Sequence, residues 1–125
     1  MSRKTFEMLI YEKYGISPDY PWANTADHGV FRHKTNSKWF AVEMTIPRSK
    51  LKIDGDGYIE VVNVKCPVDL FQSLWQERGI YPAYHMNRAH WLSVLLDGSV
   101  SDETLEWLVG ISFELTKEKR RQVLE

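Results

Sequence analysis

The stretch Asn63–Trp91 constrains the fold most, because a strand, a helix and a loop follow one another in it almost without spacers. Pro67 comes directly after an alternating apolar run, and its missing N–H is harmless in the first turn of a helix. Gly79 suits the end of that helix. The loop that follows is rich in aromatic, amide and imidazole side chains and leads into an apolar run at Trp91. We therefore predict an α+β fold organised around this junction.

Hydrophobic periodicity predicts the remaining elements. The predicted helices are Thr5–Tyr14, Pro67–Arg78 and a last helix N-capped by Ser101, and the predicted strands are Val30–Lys34, Trp39–Ile46, Tyr58–Lys65 and Trp91–Leu96. Alternation in the second strand places one apolar set on a single face, namely Phe40, Val42, Met44 and Ile46. The last helix carries an apolar stripe that should pack on the sheet, formed by Leu105, Leu108, Val109, Ser112 and Leu115.

The same residues carry a resemblance to a known family. The pattern consists of Asn63-Val64-Lys65-Cys66-Pro67, the loop Gly79-Ile80-Tyr81-Pro82-Ala83-Tyr84-His85-Met86-Asn87-Arg88-Ala89-His90-Trp91, then Leu96-Asp97-Gly98 and Ser112-Phe113. Together with Lys38-Trp39-Phe40-Ala41, it resembles the MmcQ/YjbR family of small bacterial proteins from about Phe6 to Leu115. The resemblance implies a two-layer domain with an antiparallel β-sheet, helices packed on one face, and a "double wing" DNA-binding motif.

The length of 125 residues is typical of one domain, so we expect a single domain over residues 1–125 with a frayed tail at 117–125. No apolar run approaches a membrane span and no signal-peptide core follows the N-terminus, so we expect a cytoplasmic protein, without membrane contact, that is a monomer. Cys66 is the single cysteine, which excludes an intramolecular disulfide and a thiolate zinc cluster. We expect it to be a small, partly buried apolar residue.

The charge is distributed unevenly although the net charge is only −1. Between Val30 and Ile53, six basic residues face one acidic residue, whereas Asp54 to Glu106 carries three basic and nine acidic residues. The candidate phosphate-binding residues are Arg32, Lys34, Lys38, Arg48, Lys50, Lys52, Lys65 and Arg88. An alternative is that the lysines only discourage edge-to-edge strand pairing. Lys65 has a structural alternative as well, in which it ties the loop to the strand together with Asn87.

The loop from Tyr81 to Trp91 contains the second set of candidate residues, which are Tyr84, His85, Met86, Asn87, His90 and Trp91. The aromatic residues Trp39, Tyr81, Tyr84 and Trp91 suit stacking on nucleic-acid bases, or else belong to the core. His85 and His90 are five residues apart and no second ligand pair completes a metal site, so we expect a backbone-bonded loop histidine and one beside Trp91.

Catalytic, cofactor and metal signatures are missing from the sequence. It has no nucleophile elbow, phosphate loop, dinucleotide fingerprint or metalloprotease helix. The Asp54-Gly55-Asp56-Gly57 run predicts a hairpin turn, and Lys65 stands where a calcium loop needs its bidentate Glu. We therefore expect a protein that is not an enzyme and carries no cofactor or metal.

Two functional hypotheses follow. The first is a DNA-binding protein that contacts phosphates through two basic, hairpin-like wings. The second is a protein- or small-ligand-binding module that uses the Tyr81–Trp91 loop. A continuous positive surface joining both wings would favour DNA binding, whereas an apolar pocket framed by the loop would favour the second hypothesis.

Overall fold

The computed structural model describes residues 1–22, 24, 27–74 and 77–117. Within these residues the elements are α1 (Arg3–Tyr14), β1 (Gly29–Arg32), β2 (Trp39–Pro47), a 3₁₀ turn (Arg48–Leu51), β3 (Tyr58–Lys65), α2 (Val68–Leu74), β4 (Ile80–Pro82), β5 (Trp91–Leu95) and α3 (Asp102–Thr116). None of the described helices has the length and apolar character needed to cross a membrane. Of the predicted features, Trp75 in the second helix and the tail after residue 117 lie outside the described residues.

Hydrogen bonds and backbone conformation fix both ends of α1 and the start of α3. The Ser2 Oγ accepts a hydrogen bond from the Thr5 N–H at 3.1 Å and so caps α1. Gly15 ends that helix in the left-handed region with φ of 69°. The predicted N-cap of the last helix is confirmed, because the Ser101 Oγ accepts a hydrogen bond from the Thr104 N–H at 3.1 Å.

The five strands form one antiparallel sheet in the order β1-β2-β3-β5-β4. β4 lies within the segment that the sequence predicted to be a loop. It pairs with β5 through Ile80 opposite Val94 and forms one edge of the sheet. Three residues ending in Pro82 are too few to show an alternating pattern, and a proline is tolerated at an edge, so tertiary pairing alone reveals this strand.

All three helices pack on one face of the sheet, as predicted. The core on this face contains Phe6 and Ile10 of α1, Leu105, Leu108 and Val109 of α3, and Val62, Val64, Leu92 and Val94 of the sheet, with Leu70, Phe71 and Leu74 of α2 packed against it. One detail of the predicted stripe on α3 is wrong. Leu115 is 42% exposed, whereas Thr116 is buried. Thr116 lies eleven residues after Leu105, which is about three full turns of the helix, so the two residues share a face. Leu115 lies ten residues after Leu105 and therefore falls outside that face.

The predicted face of β2 is also wrong at its first two residues. Phe31 pairs with Ala41 and Arg32 with Trp39, which leaves Phe40 unpaired in a β-bulge. The extra residue exchanges the faces of the sheet that Trp39 and Phe40 would occupy in a regular strand. Phe40 therefore lies in the helix-side core, while Trp39 packs on the opposite face with Val42, Met44 and Ile46.

The opposite face of the sheet is covered by loops, and we call it the loop face. Its core consists of Val30, Val42, Met44, Ile46, Leu51, Ile59, Val61 and Leu95. Tyr84 and Met86 of the Tyr81–Trp91 segment, which we call the motif loop, pack against this core. The fold thus holds the motif loop against the sheet.

Candidate functional site

A buried hydrogen-bond network fixes the path of the motif loop. Asn63 on β3 is fully buried and lies directly opposite Ser93 on β5. The Asn63 Nδ2 donates to the Tyr84 carbonyl at 2.8 Å, and its Oδ1 accepts from the Ser93 hydroxyl. The Ser93 Oγ in turn accepts from the Tyr84 N–H at 3.0 Å. Because every buried polar atom of this trio has a partner, the network is rigid and expensive to disturb.

This network takes the place of the tie that the sequence suggested between Lys65 and Asn87. The Asn87 Oδ1 accepts from the Ala89 N–H at 2.9 Å and so shapes a turn within the loop. The Lys65 N–H donates to the Ser112 Oγ at 2.8 Å, which joins β3 to α3. The backbone of His90 holds the strand end, since its carbonyl accepts from the Cys66 N–H at 2.8 Å.

The motif loop frames a cavity of about 280 Å³ on the loop face, which we call the loop pocket. Its walls are Trp22, His28, Trp39, Val42, Met44, His85 and Met86. The Trp22 and Trp39 rings meet at 90° with centroids 5.5 Å apart. His85 has a left-handed backbone with φ of 60°, and its ring lies 4.0 Å from the Tyr84 ring. Three separate segments of the chain therefore build one largely apolar pocket.

An arginine and a histidine beside the loop pocket each interact with an acidic residue. Arg32 lies 5.5 Å from the Trp39 ring centroid, and its Nε donates to the Asp19 carboxylate at 2.8 Å. Burial lowers the pKa of His28 below its usual value; the Asp27 carboxylate opposes this, whereas His85 and Arg3 add to it. A histidine with a lowered pKa is neutral near pH 7. The wall of the pocket therefore contains a neutral His28, and Asp19 offsets the charge of Arg32 at its edge.

A second cavity, of about 340 Å³, is lined by other residues of the motif loop, and we call it the cationic pocket. Lys50, Lys52 and Arg88 line it together with Leu51, Tyr81 and Pro82. Lys50 and Lys52 come from the region of the 3₁₀ turn and Arg88 from the motif loop, 36 residues further along the chain than Lys52. In the part of the chain that the structure describes, these three side chains form no salt bridge.

The other predicted phosphate-binding residues lie elsewhere. Lys34 and Lys38 flank the turn that precedes β2, whereas Arg48 follows its last residue, so about 27 Å of extended strand separates the two regions. The Lys34 Nζ lies beside Gly15 at the C-terminal end of α1. Lys65 pairs with Trp91 at the end of β3. The structure thus brings three of the eight predicted cations together around one cavity.

One buried acid on the helix side went unnoticed in the sequence. Glu43 is fully buried, and its Oε2 accepts from the Arg3 Nε at 3.0 Å and the Arg3 Nη2 at 2.9 Å. Its Oε1 has no hydrogen-bond partner among the described residues. Burial raises the pKa of Glu43 to about 7, although Arg3 opposes the shift. The only sequence signal for this buried residue is that an acidic side chain interrupts the apolar run of β2.

The positions of the histidines can be compared with what a metal centre requires. Within residues 1–22, 24, 27–74 and 77–117, no group of three or more His, Cys, Asp or Glu side chains is placed to hold a metal ion. His85 and His90 are both exposed. His33, which the sequence pattern did not single out, is buried, and its Nε2 lies 2.8 Å from the Thr116 Oγ1.

Known proteins with similar sequences and structures share this fold. The YjbR family model matches residues 11–115. The uncharacterized protein YyaQ of Bacillus subtilis (strain 168) is 37% identical over 117 residues, which cover 94% of this chain and 99% of YyaQ. The uncharacterized protein YjbR of Escherichia coli (strain K12) is 34% identical over 70 residues, covering 51% of this chain and 59% of YjbR.

Solved structures of other proteins have a similar fold. The crystal structure of a Pseudomonas syringae protein has 43% sequence identity and a TM-score of 0.92, covering 94% of this chain and all of that one. The crystal structure of a Deinococcus radiodurans protein with a DUF419 domain has 26% identity and a TM-score of 0.59, covering 80% of this chain and 67% of that one. The resemblance seen in the sequence is thereby confirmed, and the chain belongs to the MmcQ/YjbR family.

Proposed function

We propose that this protein is a nonenzymatic binding protein that holds a small ligand in the loop pocket. The observation that carries the proposal is that His85 and Met86 of the motif loop form walls of an apolar cavity. An apolar pocket with a few polar groups is the usual form of a small-molecule site. The network of Asn63 and Ser93 supports the proposal, since it holds the loop in place before any ligand arrives.

The make-up of the loop pocket favours binding over catalysis. Among the described residues that line it, the titratable groups are the imidazoles of His28 and His85, and none of these lining residues carries a carboxylate, hydroxyl or thiol. General acid–base or nucleophilic catalysis usually needs a second polar group within hydrogen-bond reach of the first. The lining of this pocket offers apolar contact and orientation instead.

Blocking the pocket tests the proposal. A library of small compounds is titrated into ¹⁵N-labelled protein, and shifts of the amide signals of His85 and Met86 report binding. Met86→Trp should abolish those shifts because the larger side chain fills the pocket. Met8→Trp is the matched control, since Met8 is 56% exposed on α1, far from the loop face. The proposal is wrong if no compound shifts these signals at millimolar concentration, or if the Met86 variant still binds.

We propose duplex DNA as a second candidate ligand, bound through its phosphates. The convergence of Lys50, Lys52 and Arg88 on one cavity supports it, because clustered cations without acidic partners attract phosphate groups. Lys34 and Lys38 lie apart from this cluster, at the other end of β2, and Arg32 pairs with Asp19, so neither observation supports the continuous basic surface that two wings would need. For this reason DNA takes second place.

A salt titration tests the second candidate. The triple variant with Gln at positions 50, 52 and 88 should bind duplex DNA with a shallower dependence of log affinity on log salt, by roughly 0.9 for each phosphate that the variant no longer neutralises. The control carries Gln at Lys34, Lys38 and Lys65 and removes the same charge elsewhere. Equal slopes for both triple variants would show that only overall charge matters. No salt-sensitive DNA binding by the unmodified protein would refute the candidate outright.

A further inference from the structure

We infer that the loop pocket selects an uncharged bicyclic aromatic heterocycle, of the size of indole or a purine base. This inference rests on the proposed function of the pocket and adds the class of its ligand. It draws on four properties of the walls, namely ring geometry, sulfur placement, volume and charge.

The two tryptophan rings form a corner that suits a flat ligand. They lie at 90° to each other with centroids 5.5 Å apart, and the His28 ring lies at 83° to Trp22 with centroids 6.2 Å apart. Aromatic rings prefer offset stacking or edge-to-face contact. A planar ligand in this corner can stack on one indole while its edge meets the other. The Arg32 guanidinium lies over one face of the Trp39 ring, so a ligand can stack only on the opposite face of that ring.

The two methionines point to the same class of ligand. Met44 and Met86 line the pocket from β2 and from the motif loop. Thioether sulfur makes favourable contacts with aromatic rings, about 0.3–1.5 kcal/mol each, when it lies near the ring edge. Two thioethers beside two indoles therefore favour an aromatic ligand over an aliphatic one of equal volume.

The volume limits the ligand to about two rings. A cavity of roughly 150 Å³ is known to accept benzene in another protein. The loop pocket, at about 280 Å³, has nearly twice that space. One fused pair of rings fits this volume, whereas a nucleotide or a larger polycyclic compound would extend out of it.

The charge environment disfavours ions and provides a partner for a ring nitrogen. Arg32 pairs with Asp19, and Arg3 donates to the Glu43 carboxyl group, so both arginines already have partners within the protein. His28 is mostly buried, with the Asp27 carboxylate 4.0 Å away and His85 and Arg3 nearby. A neutral imidazole has one donor and one acceptor nitrogen, which complements the N–H or the bare nitrogen of a heterocycle.

Three small probes test the class of ligand. Indole is compared with indole-3-acetate, which adds a negative charge, and with cyclohexanol, which is uncharged but not aromatic. Amide and indole N–H signals of ¹⁵N-labelled protein report the binding. We expect saturable indole binding at the loop pocket, at least tenfold weaker binding of indole-3-acetate, and no binding of cyclohexanol. Adenine and a short oligodeoxyadenylate form a further pair, and tighter binding of the oligonucleotide would identify a base within a strand as the source of the heterocycle.

Tryptophan variants provide the structural check. Trp22→Leu should weaken indole binding at least tenfold, because it removes one wall of the corner. Trp107→Leu should not, since Trp107 is 51% exposed on α3 and lies outside the pocket. Indole binding that survives Trp22→Leu would overturn the inference.

Other outcomes separate the inference from the proposed function. If cyclohexanol or indole-3-acetate binds as well as indole and Met86→Trp blocks that binding, the pocket is a ligand site but the inferred class is wrong. If neither these probes nor the compound library shifts the pocket signals, both the inference and the proposed function fail.

Discussion

The contribution of Glu43 to stability should fall as the pH rises from about 4.5 to about 7, because its carboxyl group is buried. The perturbation is a change of pH, compared between the unmodified protein and Glu43→Gln. Burial raises the pKa of Glu43 from its ordinary 4.5 to about 7, so the folded chain holds this proton more tightly than the unfolded chain does. The free energy of unfolding therefore decreases as the proton is lost and becomes constant, for this group, above about pH 7.

The magnitude follows from the size of the shift. Each pKa unit corresponds to about 1.4 kcal/mol, so the shift from 4.5 to about 7 corresponds to roughly 3 kcal/mol. The uncharged Gln resembles the protonated acid and remains uncharged at every pH. Glu43→Gln should thus equal the unmodified protein in stability near pH 4.5 and exceed it by roughly 3 kcal/mol at pH 8. Arg3 stays charged throughout, and its attraction to the ionised carboxylate, which lowers the pKa, is already included in the net shift to about 7.

Urea unfolding monitored by tryptophan fluorescence between pH 4.5 and pH 8 provides the measurement. Glu103→Gln, at an exposed carboxylate in the first turn of α3, is the control and should give a profile parallel to that of the unmodified protein. The opposite result is physically meaningful. If the ion pair with Arg3 outweighs desolvation, Glu43→Gln will be the less stable protein at pH 8, and the reasoning from burial is refuted.

Three further predictions concern the motif loop and its flanks. Asn63→Ala should lower the free energy of unfolding by about 2–4 kcal/mol, because the Tyr84 carbonyl and the Ser93 hydroxyl lose buried partners; a loss below about 1 kcal/mol in chemical denaturation would contradict the network. Gly79→Ala should destabilise more than Gly98→Ala in thermal unfolding, since both have φ near +87° but only at Gly79 would a Cβ overlap Ser99 and Val100; equal effects would count against it. The Cys66 thiol should resist iodoacetamide at pH 8 in the folded protein and react after unfolding, because burial raises its pKa; rapid labelling of the native protein would show an accessible thiolate.

Local sequence patterns were sufficient for most of the elements. Ser101 caps α3, as predicted, through a hydrogen bond to a residue three positions away, and Gly15 ends α1 through its own backbone freedom. The continuous apolar run of β5 predicted a strand inside the sheet, where β5 lies between β3 and β4. These features depend on interactions within a few residues, and a period of 3.6 or 2 is visible in any short window of the sequence.

The candidate sites depended on information that a short window does not contain. Nothing in the spacing of Trp22, Trp39 and Met86 shows that they line one cavity, and the same holds for Lys52 and Arg88 in the cationic pocket. The bulge at Phe40 decided which face Trp39 occupies, and it arises from pairing with β1 rather than from the sequence of β2 alone. The loop pocket therefore became recognisable only when strand pairing was known.

The sequence by itself thus determined the helices, the strands other than β4, the family and the presence of a specialised loop after Gly79. The tertiary structure alone decided where that loop lies, because Asn63 and Ser93 hold it across the sheet. Its residues there line two cavities, one together with tryptophan rings and one together with lysines. The tertiary structure also decided that Glu43 is buried beside Arg3, forty residues earlier in the chain. The physical reason is that caps and periodicity arise from short-range backbone geometry, whereas pockets and buried ion pairs arise when packing brings distant segments together.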